Sequence, residues 1–169
     1  MSYSNFLGKI IKKEAVQVFK LIHKCIHQKK LQVLVAVPYE KEQQWYAEKL
    51  RKRGYTVEII NASTKTKDRT KVFEAYDEGN IDIIIGYNVL KKGISIPQMG
   101  CLLDVYASET KENVTQLIGR LNRKGRGITK KFYFAFTKPL VLGKQHRLKK
   151  KLLPTLAKQF GAKFKKFDI

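Results

Sequence analysis

The sequence predicts an α/β protein: one parallel sheet with helices on both faces. Two observations carry that reading. Five short runs rich in β-branched and aromatic residues, from "LQVLVAV" to "KKFYFAF", recur along the 169-residue chain, and segments with apolar residues at helical spacing separate them. Several of the runs are apolar at nearly every position and not at alternate ones. That suits strands covered on both sides, as in a parallel sheet.

Each element follows from its own pattern. Ala15 to Ile26 carries apolar residues at Ala15, Val18, Phe19, Ile22, Cys25 and Ile26, the spacing of a helix, so residues 1–30 read as a helical lead-in. Leu31 to Val37 is the first strand, stopped by Pro38. Glu40 to Arg53 is a helix that closes at Gly54, and Tyr55 to Ile60 is the second strand. A polar loop, "NASTKTKDR", leads into a helix from Thr66 to Tyr76, and Asp77 to Asn80 form a turn. Ile81 to Gly86 is the third strand, Cys101 to Ala107 the fourth and Lys130 to Phe136 the fifth, with a helix from Asn113 to Arg123 between the last two. These elements make a core of residues 31–137. Residues 138–169 form a Lys-dense extension in which Leu148, Leu152, Leu153, Leu156 and Phe160 recur at helical spacing. It reads as a basic amphipathic helix, bent or restarted at Pro154. The whole is one domain.

Charge narrows the partners. There are 35 Lys and Arg against 14 Asp and Glu, a formal net charge of +21. A small domain this basic repels itself unless a polyanion is near, and nucleic acid is the first candidate. No apolar run approaches the roughly 18 residues of a membrane span, and residues 1–13 lack the apolar core of a secretory signal. A cytoplasmic or nucleoid-associated protein without a membrane partner is expected. Cys25 and Cys101 read as reduced, buried thiols. His23 and His27 share a helix face, but no further ligand accompanies them, so no metal site is expected.

The loops after the strands carry the candidate contacts. In a parallel sheet they gather at the carboxyl ends of the strands. Tyr39, Ser63, Thr64, Asn88, Lys91 and Lys92 are expected to line that edge and meet nucleic acid, with Tyr39 able to stack on a base and the lysines to contact phosphates. The helix from Asn113 to Arg123 is patterned differently. At about 100° per residue, Gln116, Arg120 and Arg123 fall within roughly 60° of one another, opposite Val114, Leu117, Ile118 and Leu121. Gly119 sits inside this helix, where it costs roughly 1 kcal/mol relative to Ala. Close approach of something to the backbone would account for it.

In this order, "VAVPY", "NASTKTKDR", "IIIGYNVLKKGISIP" and "QLIGRLNRKGRG" resemble the second RecA-like lobe of superfamily 2 helicases, over about Leu31 to Phe136. Gln116, Gly119, Arg120 and Arg123 match that family's sixth motif, and Gly93 to Pro97 match its fifth. Arg69 also matches. The wording is closest to phage branch-migration and XPB-like DNA helicases. Tyr87-Asn88 and Ser95 stand where the family often has Thr-Asp and Asp. The resemblance implies a RecA-like fold, ATP as cofactor, and nucleic acid as partner, with DNA favoured over RNA. It also implies that Arg120 and Arg123 act catalytically as arginine fingers, with Gln116, Gly93 and Gly119 at the nucleotide.

The phosphate cradle G-x-x-x-x-G-K-[ST] is absent from the sequence. Asp77-Glu78 precedes a strand and so reads as a turn, not as a Mg²⁺ carboxylate pair. A first lobe, on another chain or a missing segment, is therefore the expected second partner, and no ATP hydrolysis is expected from this chain alone. Two readings remain open at this point. One is a motor lobe completed by a first lobe; the other is a non-enzymatic module that binds nucleic acid or regulates a helicase.

Overall fold

The computed structural model describes residues 3–87, 100–105, 110–121, 131–136 and 143–165. Five strands form one sheet: β1 (Val33–Ala36), β2 (Val57–Ile60), β3 (Ile83–Gly86), β4 (Cys101–Val105) and β5 (Phe132–Phe136). Their order is β2-β3-β1-β4-β5 and every pairing is parallel. Ala36 lies opposite both Gly86 and Asp104, so the carboxyl ends of the central strands are level. Each strand occurs where the sequence places it, with β1, β2 and β3 each starting two residues later than expected. The fold is the single parallel α/β domain expected.

The helices are α1 (Tyr3–Lys13), α2 (Ala15–His23), α3 (Glu40–Arg51), α4 (Thr66–Asp77), α5 (Lys111–Leu121) and α6 (Gly143–Gln159). The chain continues α2 as a π-helical turn, Lys24–Gln28. Side chains alternate across a strand, so each strand feeds two cores. Val33, Val35, Ile83, Ile85, Cys101 and Leu103 bury against α1, α2 and α3. Leu34, Ala36, Ile60, Ile84 and Leu102 bury against Phe73 and Tyr76 of α4 and Leu117 and Leu121 of α5. Helices thus cover both faces. Cys25 and Cys101 meet in the first core with Sγ atoms 2.8 Å apart, both buried and free. The Cys101 contact and nearby Lys29 pull the Cys25 thiol below its usual range, whereas burial pushes the Cys101 thiol up.

Two glycines end helices by the same device. Gly54 and Gly79 have φ of 89° and 84°. The next residue in each case donates back five positions, Tyr55 N–H to Leu50 O (3.3 Å) and Asn80 N–H to Ala75 O (2.8 Å). Only a left-handed residue turns the chain sharply enough for that bond, and Gly adopts it without a Cβ clash.

Of the two outcomes expected at Pro154, the restart does not occur: α6 runs through it as one helix. Pro154 and Lys150 are both exposed. The Lys150 carbonyl that loses its partner can therefore turn to water, which removes most of the penalty of a buried helix proline. Leu152 and Leu156 bury against Val114 of α5, with Ile118, Leu148, Leu153 and Phe160 around them.

Candidate functional site

The helices that leave β1 and β4 go to opposite faces of the sheet. These strands are neighbours, so their connections diverge and leave a crevice outside their carboxyl ends, the place where open α/β sheets take ligands. On one side of that crevice the chain turns at Val37 to Tyr39 into α3. Tyr39 is the residue before α3, in extended conformation, and its carbonyl accepts Gln43 N–H (2.9 Å). Gln43 Nε2 in turn donates to Val37 O (2.8 Å), which fixes the turn from inside. Tyr39 is half-buried against the first core, so a base could meet only part of its ring.

The loop after β2 is organised by one asparagine. Asn61 Oδ1 accepts from Ser63 N–H (3.1 Å), Ser63 Oγ (2.6 Å) and Thr64 Oγ1 (3.3 Å). Thr64 Oγ1 accepts from Asn61 N–H (3.1 Å). Arg69, on the first turns of α4, reaches back with Nη2 to Asn61 O (3.3 Å) and Ala62 O (3.4 Å). The two hydroxyls are thus pre-oriented by the loop itself. Ser63 is exposed and Thr64 half-buried. β3 lies between β1 and β2, so the Tyr39 turn and this loop stand on either side of the carboxyl end of β3.

Helix α5 supplies the opposite wall. Its first turn is capped by Thr110, whose Oγ1 accepts Asn113 N–H (3.2 Å) and whose carbonyl accepts Val114 N–H (3.1 Å). Val114, Leu117 and Leu121 are buried and Gln116 is exposed, the two faces the spacing predicts. Among the described residues, no atom lies within 4 Å of where a Cβ on Gly119 would sit. Packing among the described residues gives no reason for glycine there. The backbone of Arg120 belongs to α5. Its side chain, and all of Arg123, Asn88, Lys91, Lys92 and Gly93, lie outside the described residues.

One constellation escaped the sequence reading. Asp104 is fully buried in β4. Lys149 of α6 is also buried and places Nζ 2.9 Å from Asp104 Oδ2. Tyr133 of β5 donates its hydroxyl to the same oxygen (2.7 Å). Burial first, and the Asp104 charge second, raise the Tyr133 phenol well above its usual range. A buried ion pair adds little net stability, but only one arrangement satisfies it, so it fixes how α6 sits on the sheet. The signals were an acid inside "CLLDV" and a lysine on the leucine face of α6.

Among the described residues, no three His, Cys, Asp or Glu side chains are grouped to hold a metal ion, and no helix is long and apolar enough to cross a membrane. The residues present fit one wall of a nucleotide site. An exposed amide and an open backbone position share α5, and the loops opposite are rich in hydroxyls.

Comparison with known proteins agrees with this architecture. A family model described as the helicase conserved C-terminal domain matches residues 17–125. The chain is similar to DEAD-box ATP-dependent RNA helicase 5 of Oryza sativa subsp. japonica, at 27% identity over 137 residues, covering 79% of this chain and 27% of the relative. Among solved structures it resembles a DEAD box protein from Methanococcus jannaschii, with a TM-score of 0.66 and 20% identity over 89% of this chain and 38% of that one. It also resembles S. cerevisiae Dbp5 bound to RNA and ADP BeF3, with a TM-score of 0.56 and 21% identity over 79% of this chain and 33% of that one. The chain thus spans about a quarter of the length of the rice relative.

Proposed function

This chain belongs to the helicase conserved C-terminal domain family, and from that premise we propose that it serves as the second lobe of an ATP-dependent nucleic-acid helicase or translocase. The observation that carries the proposal is α5. Its buried Val114, Leu117 and Leu121 leave Gln116 exposed and Gly119 open on the helix whose backbone also carries Arg120. In this reading Arg120 and Arg123 approach the γ-phosphate of ATP held by a first lobe, with Gln116 and Gly93 beside it. ATP supplies the phosphoryl group and the first lobe supplies the cradle and Mg²⁺. This chain's own part is to aim positive charge where charge develops in the transition state.

Nucleic acid would cross the loops at the carboxyl edge, with Tyr39, Ser63, Thr64, Asn88, Lys91 and Lys92 as contacts. RNA is the first substrate to test, because the rice relative is named an RNA helicase. DNA is the second, on the wording of the fifth and sixth motifs. Residues 1–30 and 138–169 act in this reading as extensions of a 31–137 core.

The test is ATP turnover by the chain alone, and then mixed with a candidate first lobe carrying G-x-x-x-x-G-K-[ST], with and without RNA or DNA. Turnover stimulated by nucleic acid only in the mixture is the expected result. Robust turnover by the chain alone, or none with any first lobe that binds it, would remove the proposal.

A further inference from the structure

We propose that the outward face of α6 is a second, sequence-independent binding surface for the phosphate backbone of nucleic acid. The proposal rests on the lobe-two reading above and extends it to a surface that the family's motifs do not include. Lys144, Arg147, Lys151 and Lys158 are all exposed. At about 100° per residue they share an arc of roughly 60°, opposite the buried Lys149, Leu152 and Leu156. At about 1.5 Å per residue the row runs about 21 Å, long enough to follow several successive phosphates.

Three features set this row apart from ordinary solvated charge. First, the row faces outward because Lys149, from the same helix, is locked inside on Asp104 and Tyr133. A helix free to roll would blur the row; the buried pair holds it in register. Second, no ion pair among the described residues neutralises it. The sequence has no acidic residue between Glu112 and Asp168. Third, α6 packs directly on α5 through Leu152, Leu156 and Val114. The row therefore lies beside the helix that bears Gln116, and nucleic acid bound there would stay next to the nucleotide wall. Exposed lysines and arginines in a row contact phosphates without reading bases.

The experiment measures binding of the full chain to a fluorescein-labelled 20-nucleotide poly(U) strand across a salt series. Lys144→Gln/Arg147→Gln/Lys151→Gln/Lys158→Gln keeps good helix formers at each site. A second variant, Lys9→Gln/Lys13→Gln/Lys20→Gln/Lys24→Gln, removes equal charge from exposed positions on and just after α1 and α2, across the sheet. The α6 variant should bind more than tenfold more weakly at low salt. Its slope of log affinity against log salt should be shallower by about 3, four contacts at about 0.7 each for a single strand. The α1–α2 variant should keep most of the wild-type slope. Equal loss in both variants, or an unchanged slope in the α6 variant, would overturn the proposal while leaving the lobe-two reading intact. Wild-type protein that binds no nucleic acid at low salt would overturn both. Binding to phosphatidylserine vesicles that is tighter than to poly(U), and is lost in the α6 variant, would assign the row to a membrane surface and also overturn it. If circular dichroism shows the fourfold variant misfolded, the four single variants take its place. Each should reduce the slope by about 0.7, and four unchanged slopes would overturn the proposal.

Discussion

Gly119→Ala should stabilise this chain and impair the assembled motor. A Cβ at this position meets no atom within 4 Å among the described residues, so the substitution adds no internal clash. The gain is the helix-propensity difference between Ala and Gly, about 1 kcal/mol in a helix interior. The expected gain is therefore about 0.5–1 kcal/mol. For a chain of this size that raises Tm by about 1–4 °C. Scanning calorimetry or urea unfolding of the chain alone reads it. The functional effect has the opposite sign. If a phosphate must approach the backbone at Gly119, a methyl group displaces it by the order of 1 Å, enough to cost about 10²-fold in turnover. ATP turnover with a first lobe present reads that. A destabilised variant would refute the open-space argument. A stabilised variant with undiminished turnover would show that nothing approaches the helix there, and would remove the reason offered for glycine.

Further outcomes follow from the same structure. With a first lobe present, Arg123→Ala should lower turnover by about 10³-fold or more while leaving affinity for nucleic acid nearly unchanged; equal losses in both would show a binding role instead. Lys149→Met should destabilise the chain by about 3–5 kcal/mol, because it removes the cation that balances the buried Asp104 charge, and Asp104→Leu added to it should restore most of the loss. A Lys149→Met protein as stable as wild type in urea would mean that the pair is wet. The Tyr76 hydroxyl is buried with no hydrogen-bond partner among the described residues, so Tyr76→Phe should be neutral or stabilising at pH 7. Burial raises the Tyr76 phenol well above its usual range, so above about pH 10 the folded chain keeps a proton that the unfolded chain releases. Stability should then fall with rising pH, by about 1.4 kcal/mol per unit from this group alone. Below about pH 10 both forms hold the proton and the contribution is complete. Urea titrations at pH 9 and 11 should show a flatter decline for Tyr76→Phe than for wild type, and identical declines would place the hydroxyl in water.

What the sequence determined by itself is the identity of each element and the side of it that is buried. Both are local properties written in the spacing of apolar residues. Val33 to Ala36 and Ile83 to Gly86 are apolar or small throughout and are buried throughout. The spacing in α5 separates Gln116 from Val114, Leu117 and Leu121, and the structure keeps them apart. Spacing does not say which neighbour covers a face. The order β2-β3-β1-β4-β5 depends on which way each crossover turns, so only the assembled sheet places the crevice between α3 and α5. Asp104 and Lys149 are 45 positions apart and each looks misplaced alone; their meeting is a property of how α6 lies on the sheet. Pro154 leaves a bend or a restart open in the sequence, and the fold, which puts it on the wet side of α6, removes the restart. Ser63 and Thr64 read as free hydroxyls until Asn61 folds over them. For the strand order and for the Asp104–Lys149 pair the deciding quantity is contact with a distant partner, which exists only once the chain has closed on itself.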